Sequence, residues 1–224
     1  MDKIKVVGFM HVCLINNYLD IVKDQIEIII KSGLYDRLDN LYIGCLGDRN
    51  EVKNLMNLIA PYDKISIEAY HHDILKYEFF TLDILHFESQ NSDKFYGFYI
   101  HTKGCSYPGN EGGKYWLDYM NYYNLTQWKE AVKNLDVGYY TYGVKLIPSG
   151  NPPAFNMHYS GNFFWFNSEY TATLDNIESL DNKNRYNAET WICSGQPLAA
   201  TGCQLFVDYN TEGVFEPYKN VDNV

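Results

Sequence analysis

Apolar residues fall into two kinds of run along the first half of this chain. Residues 4–15, IKVVGFMHVCLI, are apolar almost without a break and rich in Val and Ile, as a strand buried on both faces requires. The following NNYLDIVKDQIEIIIKSGLYDRL places Leu19, Val22, Ile26, Ile29 and Ile30 at helical spacing, with Gly33 where a helix ends. NLYIGCLGD predicts a second strand, RNEVKNLMNLIAPY a helix stopped by Pro61, and KISIEAY a third strand by clean alternation. YEFFTLDILHFESQ then reads as a helix and KFYGFYIHTKG as a fourth strand. Strand and helix alternate, which predicts an α/β fold with a mostly parallel central sheet and helices on both faces.

Beyond Cys105 the pattern changes. SYPGNEGG is a Gly-rich loop, KYWLDYMNYYNLTQWKEAVKNL a long helical stretch, VGYYTYGVKL a strand, and IPSGNPPAFN a loop whose prolines exclude regular structure. HYSGNFFWFNSEYTATL predicts a strand running into a helix, and NRYNAETWICSG a further helix or turn. The consecutive aromatics Phe163, Phe164, Trp165 and Phe166 must alternate faces on a strand, so about half of them are expected to be core. No internal repeat or low-complexity tract interrupts the chain. Its 224 residues suit one domain, divided into a first half at 1–105, a second at 106–210 and a polar, surface-wrapping tail at 211–224.

Composition narrows the partners. A formal net charge of -10, with no basic stripe, argues against extended nucleic acid. Aromatic residues make up 17% of the chain, and Tyr and Trp combine an apolar face with a polar tip, a combination suited to sugars or bases. The five cysteines are odd in number and lack CxxC spacing, which reads as buried free thiols in a reducing compartment. The N-terminus resembles no cleavable leader, and no apolar run reaches the length of about 18 residues that spans a bilayer, so a soluble, cytoplasmic protein is expected.

Parallel sheets bind ligands at the carboxyl ends of their strands. Those ends carry His11, Asn16 and Asn17, then Asp48, then Glu68 and His71, then His101, Thr102 and Lys103. Neither GxGxxG nor GxxxxGK[ST] occurs, which removes the usual dinucleotide and P-loop signatures. Asn16 and Asn17 also suit helix caps, and His-Thr-Lys-Gly at a strand end is equally what a polar turn looks like. His71, His72 and His86 have no partner identifiable from spacing and are expected to be structural or solvated.

Three strings carry a resemblance: YIHTKG (99–104), HYSGNFFWFNSEY (158–170) and RYNAETWICSG (185–195). With INNYLDIV, SGLYD and LYIGCLGD they resemble a small family of GT-A type glycosyltransferases, found in bacterial polysaccharide loci and in large DNA viruses that glycosylate their own capsids. The likeness covers most of the chain. It implies a GT-A-like fold and transfer of a hexose or deoxyhexose from a UDP-, GDP- or TDP-sugar to a hydroxyl of a glycan or glycoprotein. Relatives of this fold chelate a divalent metal with a DxD motif at the end of the fourth strand, and this chain has none; His101-Thr102-Lys103 stands there instead.

The resemblance then assigns roles. Lys103, as a cation, and His101, as a hydrogen-bond donor, stabilise the diphosphate, helped by Thr102 and by the close backbone approach that Gly104 permits. Metal-independent binding is the expectation, with Mn²⁺ or Mg²⁺ at His101 or His158 as the alternative. Glu189 is the base that removes the acceptor proton in an inverting displacement. His11, Asn16, Asn17 and Asp48 hold the nucleotide. His158, Ser160, Gly161, Asn162, Trp165 and Trp191 face the donor sugar or acceptor. A carbohydrate-binding or scaffold protein without transfer activity is the first rival reading, and a sugar-phosphate nucleotidyltransferase the second.

Overall fold

A computed structural model describes residues 3–150, 156–181 and 183–202. Its elements run β1 (Lys5–Leu14), α1 (Tyr18–Lys31), α2 (Leu34–Arg37), β2 (Asn40–Gly47), α3 (Arg49–Ile59), β3 (Ile65–His71), α4 (Phe79–Asn91) and β4 (Phe95–His101). There follow α5 (Glu111–Asn121), α6 (Trp128–Asp136), β5 (Thr141–Gly143), β6 (Leu146–Ile147), β7 (His158–Tyr159), β8 (Phe164–Asn167), α7 (Ser168–Thr171), α8 (Tyr186–Thr190) and β9 (Ala199–Thr201). The alternating first half is as the apolar runs predict. The expected tail, with Cys203, lies outside the described residues.

Seven strands form one sheet in the order β3-β2-β1-β4-β8-β5-β9, while β6 and β7 form a separate two-stranded ribbon. The sheet is parallel from β3 to β4, and β8 is antiparallel to both of its neighbours. Alternation along each strand builds a core on either face. Val6, Met10, Phe98 and Trp165 pack with α1, α3, α5 and α6 on one side, whereas Val7, Phe9, Tyr99 and Phe166 pack with α4, α7 and Trp191 on the other. Gly97 is required by this packing: a Cβ there would stand 2.1 Å from Phe166 Cζ.

The long helix expected across residues 114–135 is broken. A π-type turn at Tyr122–Thr126 separates α5 from α6, and the Asn124 carbonyl in that turn accepts a hydrogen bond from Trp165 Nε1 at 2.8 Å. The expected strand through VGYYTYGVKL is likewise split into β5 and β6, with Lys145 at φ 48 between them.

Two expectations fail in β8 and after α8. Phe163, Phe164, Trp165 and Phe166 are all fully buried, not half of them. Trp165 packs on Phe98 with ring centroids 5.0 Å apart, and Trp191 is buried with its Nε1 donating to the Asp175 carbonyl. Neither tryptophan presents a face to a sugar. Trp165→Ala is therefore expected to cost about 3–5 kcal/mol of stability, as large buried aromatics do. Chemical denaturation measures it; a sugar platform would instead lose ligand affinity with stability unchanged.

Candidate functional site

His11 and His101 are register partners on the adjacent strands β1 and β4. The period of two sets both imidazoles on the α4 face, at the carboxyl ends of the strands. A cavity of about 410 Å³ opens there, and His11, His101, Thr102, Lys103, Gly104 and Glu189 all contribute to its wall. Glu78, Tyr77, Cys13, Cys105 and Arg185 complete much of the rest. Residues far apart in the chain thus converge on one concave surface at the strand ends.

Each wall is held by local structure. Thr102 is buried, and its Oγ1 accepts from the Cys13 amide at 3.1 Å, which pins the end of β4 to β1. Gly104 has φ 89, in the left-handed region that favours glycine, and turns the chain out of the strand. Lys103 is half-buried on this turn, and no ion pair or side-chain hydrogen bond among the described residues engages its ammonium. Glu189 projects from α8, half-buried and likewise without a hydrogen-bond or ion-pair partner among the described residues. Arg185, one helical turn earlier, lies over the Tyr186 ring at 5.2 Å. A cation and a carboxylate that are not neutralised by each other or by the fold are chemically available to a ligand.

Burial pushes both histidines toward the neutral form. Burial lowers the pKa of His11 to about 4 against the upward pull of Glu78. Burial, then the Lys103 charge, lowers that of His101 to about 3. The Glu78 carboxylate lies 3.5 Å from His101 Nδ1 and favours the imidazolium, against the effect of burial. His101 Nε2 faces the Gly161 carbonyl at 2.9 Å, and because a carbonyl only accepts, the ring proton sits on Nε2.

A thiol pair adjoins these groups. Cys13 donates to Cys105, and this bond, opposed by burial and aided by Thr102 and Ser106, lowers the Cys105 pKa to about 7 while that of Cys13 is raised. Burial raises Cys45 to about 11 and Cys193 to about 12. Near neutral pH, iodoacetamide is expected to label Cys105 well before Cys45 or Cys193, because the thiolate is the reactive form. Peptide mapping by mass spectrometry reads the order.

Several residues expected at the site are elsewhere. Asp48 caps α3, accepting from the Asn50 amide at 2.8 Å, and does not line the cavity. Asn16 donates its amide to the Cys105 carbonyl at 2.8 Å, which braces the loop after β4, and it does not line the cavity. Asn17 stands at the start of α1 without making a side-chain cap and lines a neighbouring cavity of about 430 Å³, which shares Lys103 and Gly104 with the first. His158 lies on β7 with Nδ1 against the Asn156 carbonyl, and neither it nor Ser160 lines the cavity. Gly161 and Asn162 act from behind the wall, Gly161 through His101 and Asn162 by donating to Glu78. Among the described residues no three His, Cys, Asp or Glu side chains come together as a metal ligand set. The structural reading of His86 is borne out: it packs edge-on to Trp191 at 5.6 Å and meets Gln90.

Glu78 and Arg185 were not singled out from the sequence. Arg185 heads the string that holds Glu189 and so had a local signal. Glu78 had none: it starts an aromatic-rich helix, and the groups that fix it come from β4 and from the turn before β8.

No family model matches the sequence, and no curated protein is similar to it. The fold is shared with a solved structure described as "Crystal structure of 4-diphosphocytidyl-2C-methyl-D-erythritol synthase", with a TM-score of 0.50 over 98% of this chain and 96% of that one, at 8% identity. The chain therefore has the nucleotidyltransferase and GT-A-like arrangement of a mostly parallel, helix-covered sheet. Among the described residues no helix is long and apolar enough to cross a membrane.

Proposed function

We propose that this chain is a glycosyltransferase that moves a hexose or deoxyhexose from a UDP-, GDP- or TDP-sugar to a hydroxyl of a glycan or glycoprotein acceptor. The observation that carries the reading is the pairing of two unengaged groups in one cavity at the strand ends: the Lys103 ammonium and the Glu189 carboxylate. Glu189 takes the proton of the acceptor hydroxyl as its oxygen bonds to the anomeric carbon. The bond from that carbon to the phosphate oxygen breaks, and its electron pair leaves with the nucleoside diphosphate. Lys103 and Arg185 supply fixed positive charge where the diphosphate gains negative charge, the work that a chelated metal does in relatives carrying DxD. A single displacement of this kind inverts the anomeric centre. Mn²⁺ or Mg²⁺ is not required in this scheme.

The shared fold with a diphosphocytidyl synthase favours a second reading, a sugar-phosphate nucleotidyltransferase. In that chemistry a sugar phosphate attacks a nucleoside triphosphate and pyrophosphate leaves. The segment after β1, Ile15-Asn16-Asn17, offers neither the glycines nor the basic residues of a triphosphate-cradling loop. Two incubations separate the readings. Release of nucleoside diphosphate from a nucleotide-sugar, with formation of a glycosylated product, supports transfer. Release of pyrophosphate from a nucleoside triphosphate and a sugar phosphate supports the second reading and overturns the first.

A further inference from the structure

Gln25 on α1 and Asn121 on α5 meet in the interior, behind the end of β4. Gln25 is fully buried, and its Nε2 donates to the His101 carbonyl at 3.2 Å and to Asn121 Oδ1 at 3.3 Å. A backbone carbonyl only accepts, which fixes the nitrogen of Gln25 there and leaves the oxygen of Asn121 facing it. Asn121 Nδ2 therefore points the other way. It donates to no group among the described residues, although Asn121 is only 2% exposed. Buried amides are almost always paired, and Asn121 lines a cavity.

That cavity is the neighbouring one of about 430 Å³, walled by α1, α5 and the loop before α5. Ile21, Ile28 and Leu117 give it an apolar part, and Asn17, Asp20 and Asp24 a polar one. Asp20 and Asp24 enter no ion pair among the described residues, whereas Lys31 holds Glu27 at 3.0 Å and Lys114 holds Asp118 at 2.9 Å. Asn17 Oδ1 is buried without a hydrogen-bond partner among the described residues. Both cavities are bordered by Lys103, Gly104, Tyr107, Asn110 and Gly113. On this shared rim the Tyr107 ring is 76% exposed and in contact with no other ring among the described residues, carried by a turn in which its amide donates to the Gly104 carbonyl at 3.0 Å.

We propose that the cavity between α1 and α5 holds the remote units of an uncharged oligosaccharide acceptor, whose reacting end passes over Tyr107 into the first cavity. Resting on the transfer reading above, this makes the acceptor a chain of sugars and not a single one. A sugar ring packs its C–H face on apolar or aromatic surface, and each of its hydroxyls both donates and accepts. Asn121 Nδ2 gives a hydrogen to one hydroxyl oxygen, and Asp20 and Asp24 accept from others. Charge narrows the ligand further. The unpaired carboxylates repel phosphates and acidic sugars, while Lys31, Lys103 and Lys114 on the same walls repel an ammonium, so an uncharged ligand is the better match.

The test screens the full chain against an array of mono- to tetrasaccharides of glucose, mannose, galactose and fucose, with matched acidic glycans, and follows each hit by calorimetry. Wild type is expected to bind at least one neutral oligosaccharide roughly tenfold or more tightly than its constituent monosaccharide. Asp24→Trp, which brings a bulky ring to the cavity from an exposed helix position, is expected to abolish that difference while affinity for UDP, GDP and TDP stays the same. Equal affinity for mono- and oligosaccharides, preference for acidic glycans, or a difference that survives Asp24→Trp overturns the inference. Loss of diphosphate binding in Asp24→Trp would give the cavity to the nucleotide and overturns it as well. Diphosphate binding without any glycan binding overturns the inference and leaves the transfer reading intact. Glycan binding that Asp24→Trp removes, in a protein that binds no diphosphate, supports the saccharide cavity and sinks the transfer reading. A last arm uses wild-type protein alone and does not depend on the variant folding: the side-chain ¹⁵NH₂ resonances of Asn121 shift when the bound oligosaccharide is added, and unmoved resonances overturn the inference.

Discussion

Glu189→Gln is expected to lower the transfer rate by about 10²–10⁴-fold, the range over which a positioned general base contributes. The substitution preserves shape and removes basicity. No hydrogen bond or ion pair among the described residues depends on the carboxylate, so folding should be unaffected. Nucleotide-sugar affinity should be retained, because the base acts on the acceptor and not on the diphosphate. Steady-state kinetics with separate donor and acceptor titrations read the effect as a fall in kcat with donor KM little changed. An unchanged kcat removes Glu189 from the mechanism.

Lys103→Ala should act on the other half of the reaction. A charge-assisted contact to phosphate contributes about 1.5–3 kcal/mol, so nucleoside diphosphate affinity should fall roughly ten- to hundredfold. Because the charge on the diphosphate rises as it leaves, kcat should fall as well. Lys103→Arg keeps the charge and should recover part of the affinity. Equal diphosphate binding by wild type and Lys103→Ala would mean that the ammonium does not touch phosphate. The two variants thus have opposite signatures, one in chemistry alone and the other in binding and chemistry together.

The parallel part of the sheet was legible because β1, β2 and β4 are long and buried, so their apolar runs stand out against the helices between them. The second half was harder to read. β5, β8 and β9 are short, and where they join the sheet is decided by pairings such as Tyr99 with Phe164, which no local pattern encodes. The break in the expected long helix depends on Trp165 meeting Asn124, a contact between distant segments.

The site divides in the same way. His101, Thr102, Lys103 and Gly104 were readable because a polar string ends a buried strand, and the sheet fixes where such an end points. Asp48 also sits at a strand end, yet as the residue preceding a helix its local geometry directs the carboxylate to the Asn50 amide. The burial of Trp165 and Trp191 is not legible in the sequence, because an aromatic string reads the same whether it packs a core or lines a groove. Glu78 was invisible for a different reason: its importance comes from Tyr99, His101 and Asn162, which the fold brings to it.

The central claim is that Lys103 at the end of β4, with Arg185 at the start of α8, holds a nucleoside diphosphate without a bound metal. Calorimetric titration of the full chain with UDP, GDP and TDP in the presence of EDTA tests it most directly. Saturable binding of at least one of them in chelator, weakened in Lys103→Ala, is the predicted result. Binding that appears only after Mn²⁺ or Mg²⁺ is added would contradict the claim, and binding of none under either condition would favour a carbohydrate-binding or scaffold role for this fold.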